Sequence, residues 1–256
     1  MSFRPISVCT ATAVACTALM SGLPSRAEDV ASIIKKVSDR YLKAKTYQGV
    51  IMTHQSMAGA NGPAKVDATQ KVFVQIPNHY RFDVSAIGTG AASNASQNDH
   101  SFVCDCKTLY IYYPNAKQYR KNPAPTDFSM QQVVGSLLPQ LDAFSAVGMS
   151  EGKTNGQPSI TVLMKMQLPK KLPPDISPEQ KKQIEENLRK SKPVKVIINK
   201  SDYSLLEVVI NGGAGKDLNI VVSQQSFDKP ISPSMFKFTP PAGAKEFIPP
   251  KTGGKP

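Results

Sequence analysis

Histidines, cysteines and clustered acids are the side chains from which a reactive centre would be built. The chain holds three histidines, His54, His79 and His100, and no spacing among them sets two ligands on one face of a helix or strand. Cys104 and Cys106 stand two residues apart. On an extended strand such a pair shares a face but lies too far apart to bridge, whereas at a turn it could close. Cys104 and Cys106 are therefore a disulfide candidate, with a redox-active pair as the other reading. Two thiols supply too few ligands for a metal ion. Acids cluster only at Glu179, Glu185 and Glu186, in a charged stretch that reads as a solvated face. No nucleophile elbow, phosphate loop or dinucleotide fingerprint is present. The expectation is a protein without catalytic residues, metal or cofactor.

The N-terminus reads as an export signal. Arg4 precedes an uncharged, small or apolar run from Ile6 to Leu23, and Ser25-Arg26-Ala27 is a small-x-small site. Residues 1–27 are then a signal peptide cleaved after Ala27. A membrane-spanning helix is a rival, against which stand the many Thr, Ser and Ala residues and the stop at Gly22-Leu23-Pro24. Lipoprotein processing at Cys16 is another, and the preceding Ala13-Val14-Ala15 lacks its usual bulky residue. Cys9 and Cys16 leave with the signal. The remainder carries 29 Lys and Arg against 19 Asp and Glu, a net +10. That balance favours phospholipid headgroups, membrane surfaces or nucleic acid, and export removes the last; plain solubility is the bland reading.

The elements that would position a site follow from periodicity. Asp29 to Thr46 reads as an amphipathic helix capped by Asp29, with Val30, Ile33, Ile34, Val37 and Tyr41 on one face. Strands are expected at Tyr47–Gln55, Lys71–Ile76, His79–Val84, Ser101–Cys104, Lys107–Tyr113, Ser159–Gln167, Val194–Lys200, Leu205–Asn211, Leu218–Phe227 and Met235–Thr239. Asp105-Cys106 is the expected two-residue turn, and Ser85–His100 the expected mobile loop. Short links without long crossovers mean an antiparallel meander. Asp127–Met149 reads as an apolar helix that Pro139 kinks or splits. Ser177–Lys190 reads as a charged surface helix, with Ser177 and Gln180 as a capping box, inside an insertion over residues 169–193. The chain is expected to form one domain over residues 28–247, with a disordered tail at 248–256.

Read with period two, the strands give one apolar face. It carries Val72, Val74, Ile76, Tyr80, Phe82, Val84, Ile160, Val162, Met164, Met166, Val194, Val196, Ile198, Leu206, Val208, Ile210, Leu218, Ile220 and Val222. Lys71, Gln75, His79, Arg81, Asp83, Lys195 and Glu207 fall on the other face, and Phe73 breaks the pattern. Only the helices over 29–46 and 127–149 are apolar enough to cover that face. A closed core is the default from pattern alone; an apolar cavity with a movable helical cover is the alternative.

Three segments resemble the bacterial outer-membrane lipoprotein carriers, the LolA/LolB-like superfamily. Val72-Phe73-Val74-Gln75-Ile76-Pro77-Asn78-His79-Tyr80-Arg81-Phe82 is similar to the family's strand–Pro–strand segment. Phe102 to Pro114, through Asp105-Cys106-Lys107-Thr108-Leu109, is similar to its Ser-Asp-Gly-Lys-Thr-Leu hairpin leading to Tyr-x-Pro. Met235-Phe236-Lys237-Phe238-Thr239-Pro240-Pro241 is similar to its final strand. Two positions depart from the family pattern. Ile76 stands where the family has the arginine that latches its lid, and Cys106 stands at the hairpin glycine. Arg81 is a candidate replacement latch, although strand parity puts it outside.

The resemblance implies a mainly β (α+β) chain, a single curved antiparallel β half-barrel with an N-terminal helix and a helical lid over the concave apolar face. It implies a periplasmic carrier for lipid or lipoprotein acyl chains, in outer-membrane lipoprotein sorting. The cavity would be lined by Val72, Val74, Ile76, Tyr80, Phe82, Met164, Val196, Ile198, Val208, Ile220, Leu137 and Leu141. Partners would be acyl chains and membrane-associated donor and acceptor proteins, without nucleic acid, and the protein a monomer. The alternative is a lipid- or lipoprotein-sensing regulator acting through a periplasmic protein partner.

Overall fold

A computed structural model describes residues 29–59, 62–94, 99–137, 144–167, 176–212 and 216–248. In chain order the elements are α1 (Val30–Leu42), β1 (Thr46–Gly59), β2 (Gly62–Gln75), β3 (His79–Gly90), β4 (His100–Asp105), β5 (Thr108–Tyr113) and β6 (Gln118–Pro123). Then come α2 (Met130–Leu137), β7 (Phe144–Thr154), β8 (Gln157–Met166), α3 (Pro178–Lys190), β9 (Val194–Asn199), β10 (Leu205–Asn211) and β11 (Asp217–Phe227). A 3-10 turn (Pro233–Phe236) and the two-residue β12 (Lys245–Glu246) finish the described chain.

The strands form one open, curved sheet in the order β12-β6-β5-β4-β3-β2-β1-β11-β10-β9-β8-β7. Every pairing is antiparallel except β12 on β6. The chain is mainly β, and its shape is a half-barrel carrying an N-terminal helix.

α1 lies in the concavity because one stripe of it is apolar. Asp29 caps it by accepting from the Ser32 N–H at 2.7 Å. Ile33, Val37 and Tyr41 are 0–1% exposed against the sheet, each contributing about 1.5–3 kcal/mol by burial. The helix ends at Leu42. α3 has the expected Ser177–Gln180 capping box and buries no residue.

Four expectations meet corrections. The helix read over 127–149 ends at Leu137, and Phe144–Thr154 is strand β7. Pro139 disfavours a helix through it on sequence grounds, and β8 offers Phe144–Thr154 an antiparallel ladder partner. The strand read at Met235–Thr239 is a 3-10 turn followed by irregular chain, because Pro233 sets the turn and Phe236 drops into a pocket, 2% exposed. The loop read over Ser85–His100 is strand as far as Gly90, held by register to β2. The β4–β5 turn lies at Cys106-Lys107, one residue later than read, with Cys106 at φ 74. Strand β6 has no counterpart among the expected strands. The leader, the cleavage site, the tail beyond Ile248, residues 169–175 of the insertion and Leu141 lie outside the described residues.

Candidate functional site

Register places the inner-face residues in rows across the sheet. One row runs Gly49, Val72, Phe82, Phe102, Ile111, Arg120 from β1 to β6. The neighbouring row runs Tyr47, Val74, Tyr80, Cys104, Leu109, Asn122. A third, on the other side of α1, runs Val208, Val196, Val162, Met149 from β10 to β7.

Burial along these rows is uneven. Beneath α1 the wall is sealed: Val72, Val74, Val162, Val196, Ile198 and Val208 are all 0% exposed, and Met164 is 4% exposed. Towards β6 the same wall opens. Phe82, Phe102, Leu109 and Ile111 are half-buried, a trough of aromatic and aliphatic side chains bounded by Arg120. Phe128, on the chain leading into α2, forms one bank. Its ring stacks on Tyr80 with centroids 4.1 Å apart and lies 6.2 Å from Phe82. At the far edge, Met149 is 37% exposed.

A cavity of about 480 Å³ lies between α1 and the β7–β8 edge. Val30, Ala31, Ile34, Phe144, Ala146 and Met164 line it, with Lys35, Ser38 and Asp39 at its mouth. Its size is that of a small-molecule pocket. Lys35 and Lys43 hydrogen-bond Asp39 and hold its carboxyl below the usual range.

The residues singled out in the sequence thus fall into several environments. Val72, Val74, Val196, Ile198 and Val208 meet under α1. Tyr80 and Phe82 face the trough, and Met164 faces the cavity. Ile220 is half-buried against the core. Ile76 is 37% exposed beyond the end of β2, and its N–H donates to the Lys45 carbonyl at 2.9 Å. Leu137 closes α2, and only its backbone is described. Arg81 stays outside, where its guanidinium donates to Asp83 at 2.8 Å. Phe102, Leu109, Ile111, Phe128 and Phe144 are site residues that the sequence reading missed, although Phe102-x-Cys104 and Leu109-x-Ile111 carry the alternation that marks an inner face.

The cysteines are free thiols on opposite sides. Cys104 is 0% exposed beneath Tyr80, and burial pushes its thiol up. Cys106 sits at the turn, its Sγ 3.0 Å from His79 Nδ1 and 3.1 Å from the Pro77 carbonyl. Burial, then Asp105, pushes that thiol up as well. Neither is an activated thiolate. Among the described residues, no group of three or more His, Cys, Asp or Glu could hold a metal ion. Among the same residues, no helix is long and apolar enough to cross a membrane.

Several solved structures are similar to this chain at low identity. An uncharacterized conserved protein from Thermus thermophilus matches at 12% identity and TM-score 0.43, covering 84% of this chain and 98% of that one. LprF from Mycobacterium bovis matches at 15% identity and TM-score 0.42, covering 83% and 96%. A LolA superfamily protein from Nitrosomonas europaea matches at 8% identity and TM-score 0.31, covering 83% and 99%. At these scores the likenesses carry no functional weight. No family model matches the chain, and no curated protein matches it.

Proposed function

We propose that this chain is a divergent relative of the LolA/LolB-like carriers, exported to the periplasm, that shields acyl chains of lipids or lipoproteins on its inner face. The observation that supports the reading is the Val72–Phe82–Phe102–Ile111 row, sealed at one end and half-open at the other. A closed core would have covered those rings. The wall is apolar until Arg120, so an acyl chain laid along it meets no unpaired polar group. Binding is driven by transfer of apolar surface, about 0.8 kcal/mol per buried methylene, less the cost of ordering the ligand.

In this reading Tyr80, Phe82, Phe102, Leu109, Ile111 and Phe128 hold the chain. Val72, Val74, Val196, Ile198, Val208 and Ile220 form the floor that keeps the sheet curved, and Leu137 and Leu141 belong to the segment that would cover the trough. The cavity beside Phe144 and Met164 lies across α1 from the trough and shares none of its residues. Ile76 is placed outside it. No residue is assigned a catalytic role.

The test is native mass spectrometry of delipidated protein, refolded and incubated with a bacterial lipid extract. Retained acyl lipids are expected, with about a tenfold or greater loss of retention in Phe82→Asp and Phe102→Asp, which put a charge on the trough floor. Wild-type protein that retains none would sink the reading.

A further inference from the structure

The trough ends on a cationic rim. Arg120 closes the Val72–Phe82–Phe102–Ile111 row on β6. Lys245 pairs with Gln118 on the same strand, and its N–H donates to the Lys117 carbonyl at 2.9 Å, so Lys117 and Lys245 adjoin. Lys117, Arg120 and Lys245 stand at this edge, and the acid among them is Glu246. That acid is already engaged by Lys121 at 2.7 Å. Beside these cations stand two exposed apolar side chains. Phe247 is 40% exposed, with the Arg120 guanidinium 4.9 Å from its ring centre, and Ile248 is 78% exposed.

Cations, an aromatic ring and an aliphatic tip at one edge match the chemistry of a bilayer interface. Lys and Arg meet lipid phosphates, and apolar tips enter the headgroup boundary. An acidic protein partner would match the cations but leave Ile248 in water. We propose that this rim docks on an anionic phospholipid bilayer, which brings the open end of the trough to the membrane where acyl chains are exchanged. The docking site rests on the carrier reading for its purpose, while its binding is measured separately.

Each surface Lys or Arg strengthens attraction to an anionic bilayer by roughly fivefold in affinity. The experiment is co-sedimentation of the protein with vesicles of phosphatidylcholine containing about one-third phosphatidylglycerol, against pure phosphatidylcholine vesicles. The expected result is a clear preference for anionic vesicles, weakened by salt. Lys117→Gln, Arg120→Gln and Lys245→Gln together should cost about a hundredfold. Phe247→Ala with Ile248→Ala should cost several-fold. Lys71→Gln, Lys182→Gln and Lys216→Gln together remove the same charge elsewhere and should cost less than about threefold.

Equal binding to both vesicle types, or equal loss in the two triple variants, overturns the inference and leaves the rim to an acidic protein. Lipid retention by the wild type is measured in parallel. If that retention fails while vesicle docking persists, the carrier reading falls and the docking surface stands.

Discussion

Two buried tyrosines with similar surroundings do opposite work. The Tyr41 hydroxyl donates to Gln225 Oε1 at 2.5 Å and accepts from the Leu205 N–H at 3.1 Å, tying α1 to β10 and β11. The Tyr47 hydroxyl is buried without a hydrogen-bond partner among the described residues. It lies over Gly49, where a Cβ would come within 2.6 Å of it. Tyr41→Phe strands the Leu205 N–H and should cost about 1–3 kcal/mol, whereas Tyr47→Phe should cost less than about 0.5 kcal/mol. Gly49→Ala should cost about 1–3 kcal/mol through the clash, most of it recovered in the double variant with Tyr47→Phe. Chemical denaturation of the four variants checks all of this.

Burial pushes the hydroxyls of Tyr41, Tyr47 and Tyr80 above the ordinary tyrosine value. The native state therefore holds these protons more tightly than the unfolded chain. Their contribution is fully present below the unfolded value, about pH 10, and is lost as pH rises beyond it. Thermal midpoints measured from about pH 8 to 11 should fall steeply above about pH 10, and less steeply in Tyr47→Phe.

At the scale of elements, the C-terminal segment is a strap across the outer face of the sheet. Phe236 is 2% exposed, with the His79 ring 5.4 Å away. Phe238 stacks on Tyr110 at 5.0 Å and lies near Tyr112 and Tyr119. β12 then covers part of the β6 edge, where an open strand would invite mispairing. Phe236→Ala should cost about 3–5 kcal/mol, read as a lower urea midpoint. The opposite result, an unchanged midpoint, would mean that the strap adds nothing to the sheet.

This strap also marks a limit of what pattern alone can tell. Two prolines after Phe238 announce an end of pairing, but whether Phe236 sits in a strand or a turn depends on a pocket made by β3 and β4, far away in the chain. Strand β6 is hidden for a related reason. Beside the two-residue edge strand β12, its Gln, Tyr, Arg, Lys and Asn give no apolar alternation, and its partners β5 and β12 define it. β7 reads as helix because Phe144 continues the helical spacing of Leu137 and Leu141. The buried parts of the central strands are legible because each buries one face and period two records that directly, but β2 begins at Gly62, nine residues before the strand read at Lys71–Ile76, and β3 runs to Gly90, six residues past the end read at Val84. The apolar face is legible on the same ground. Its division into a sealed and an open half is not, since that follows from where α1 lies on the sheet.

The whole molecule is built around one asymmetry. α1 covers the wall over β8 to β11 and β1 to β2, and leaves it half-open over β3 to β5 with a cationic rim beyond. In the proposed reading, the sealed half gives the molecule its stability, and the open half would give an acyl chain a place without unfolding the core. Substitution in the two halves should separate these properties. Val196 is 0% exposed in the sealed half, and Val196→Ala should lower stability by about 1–3 kcal/mol with little change in lipid retention. The most direct test is photo-crosslinking with a palmitic acid analogue carrying a diazirine on its chain, with labelled sites mapped by peptide mass spectrometry. Saturable labelling concentrated at Phe82, Phe102, Leu109, Ile111 and Phe128 is the predicted result. Labelling that does not saturate, or that falls mainly on the outer face around Phe73, Val103 and Tyr110, would contradict it.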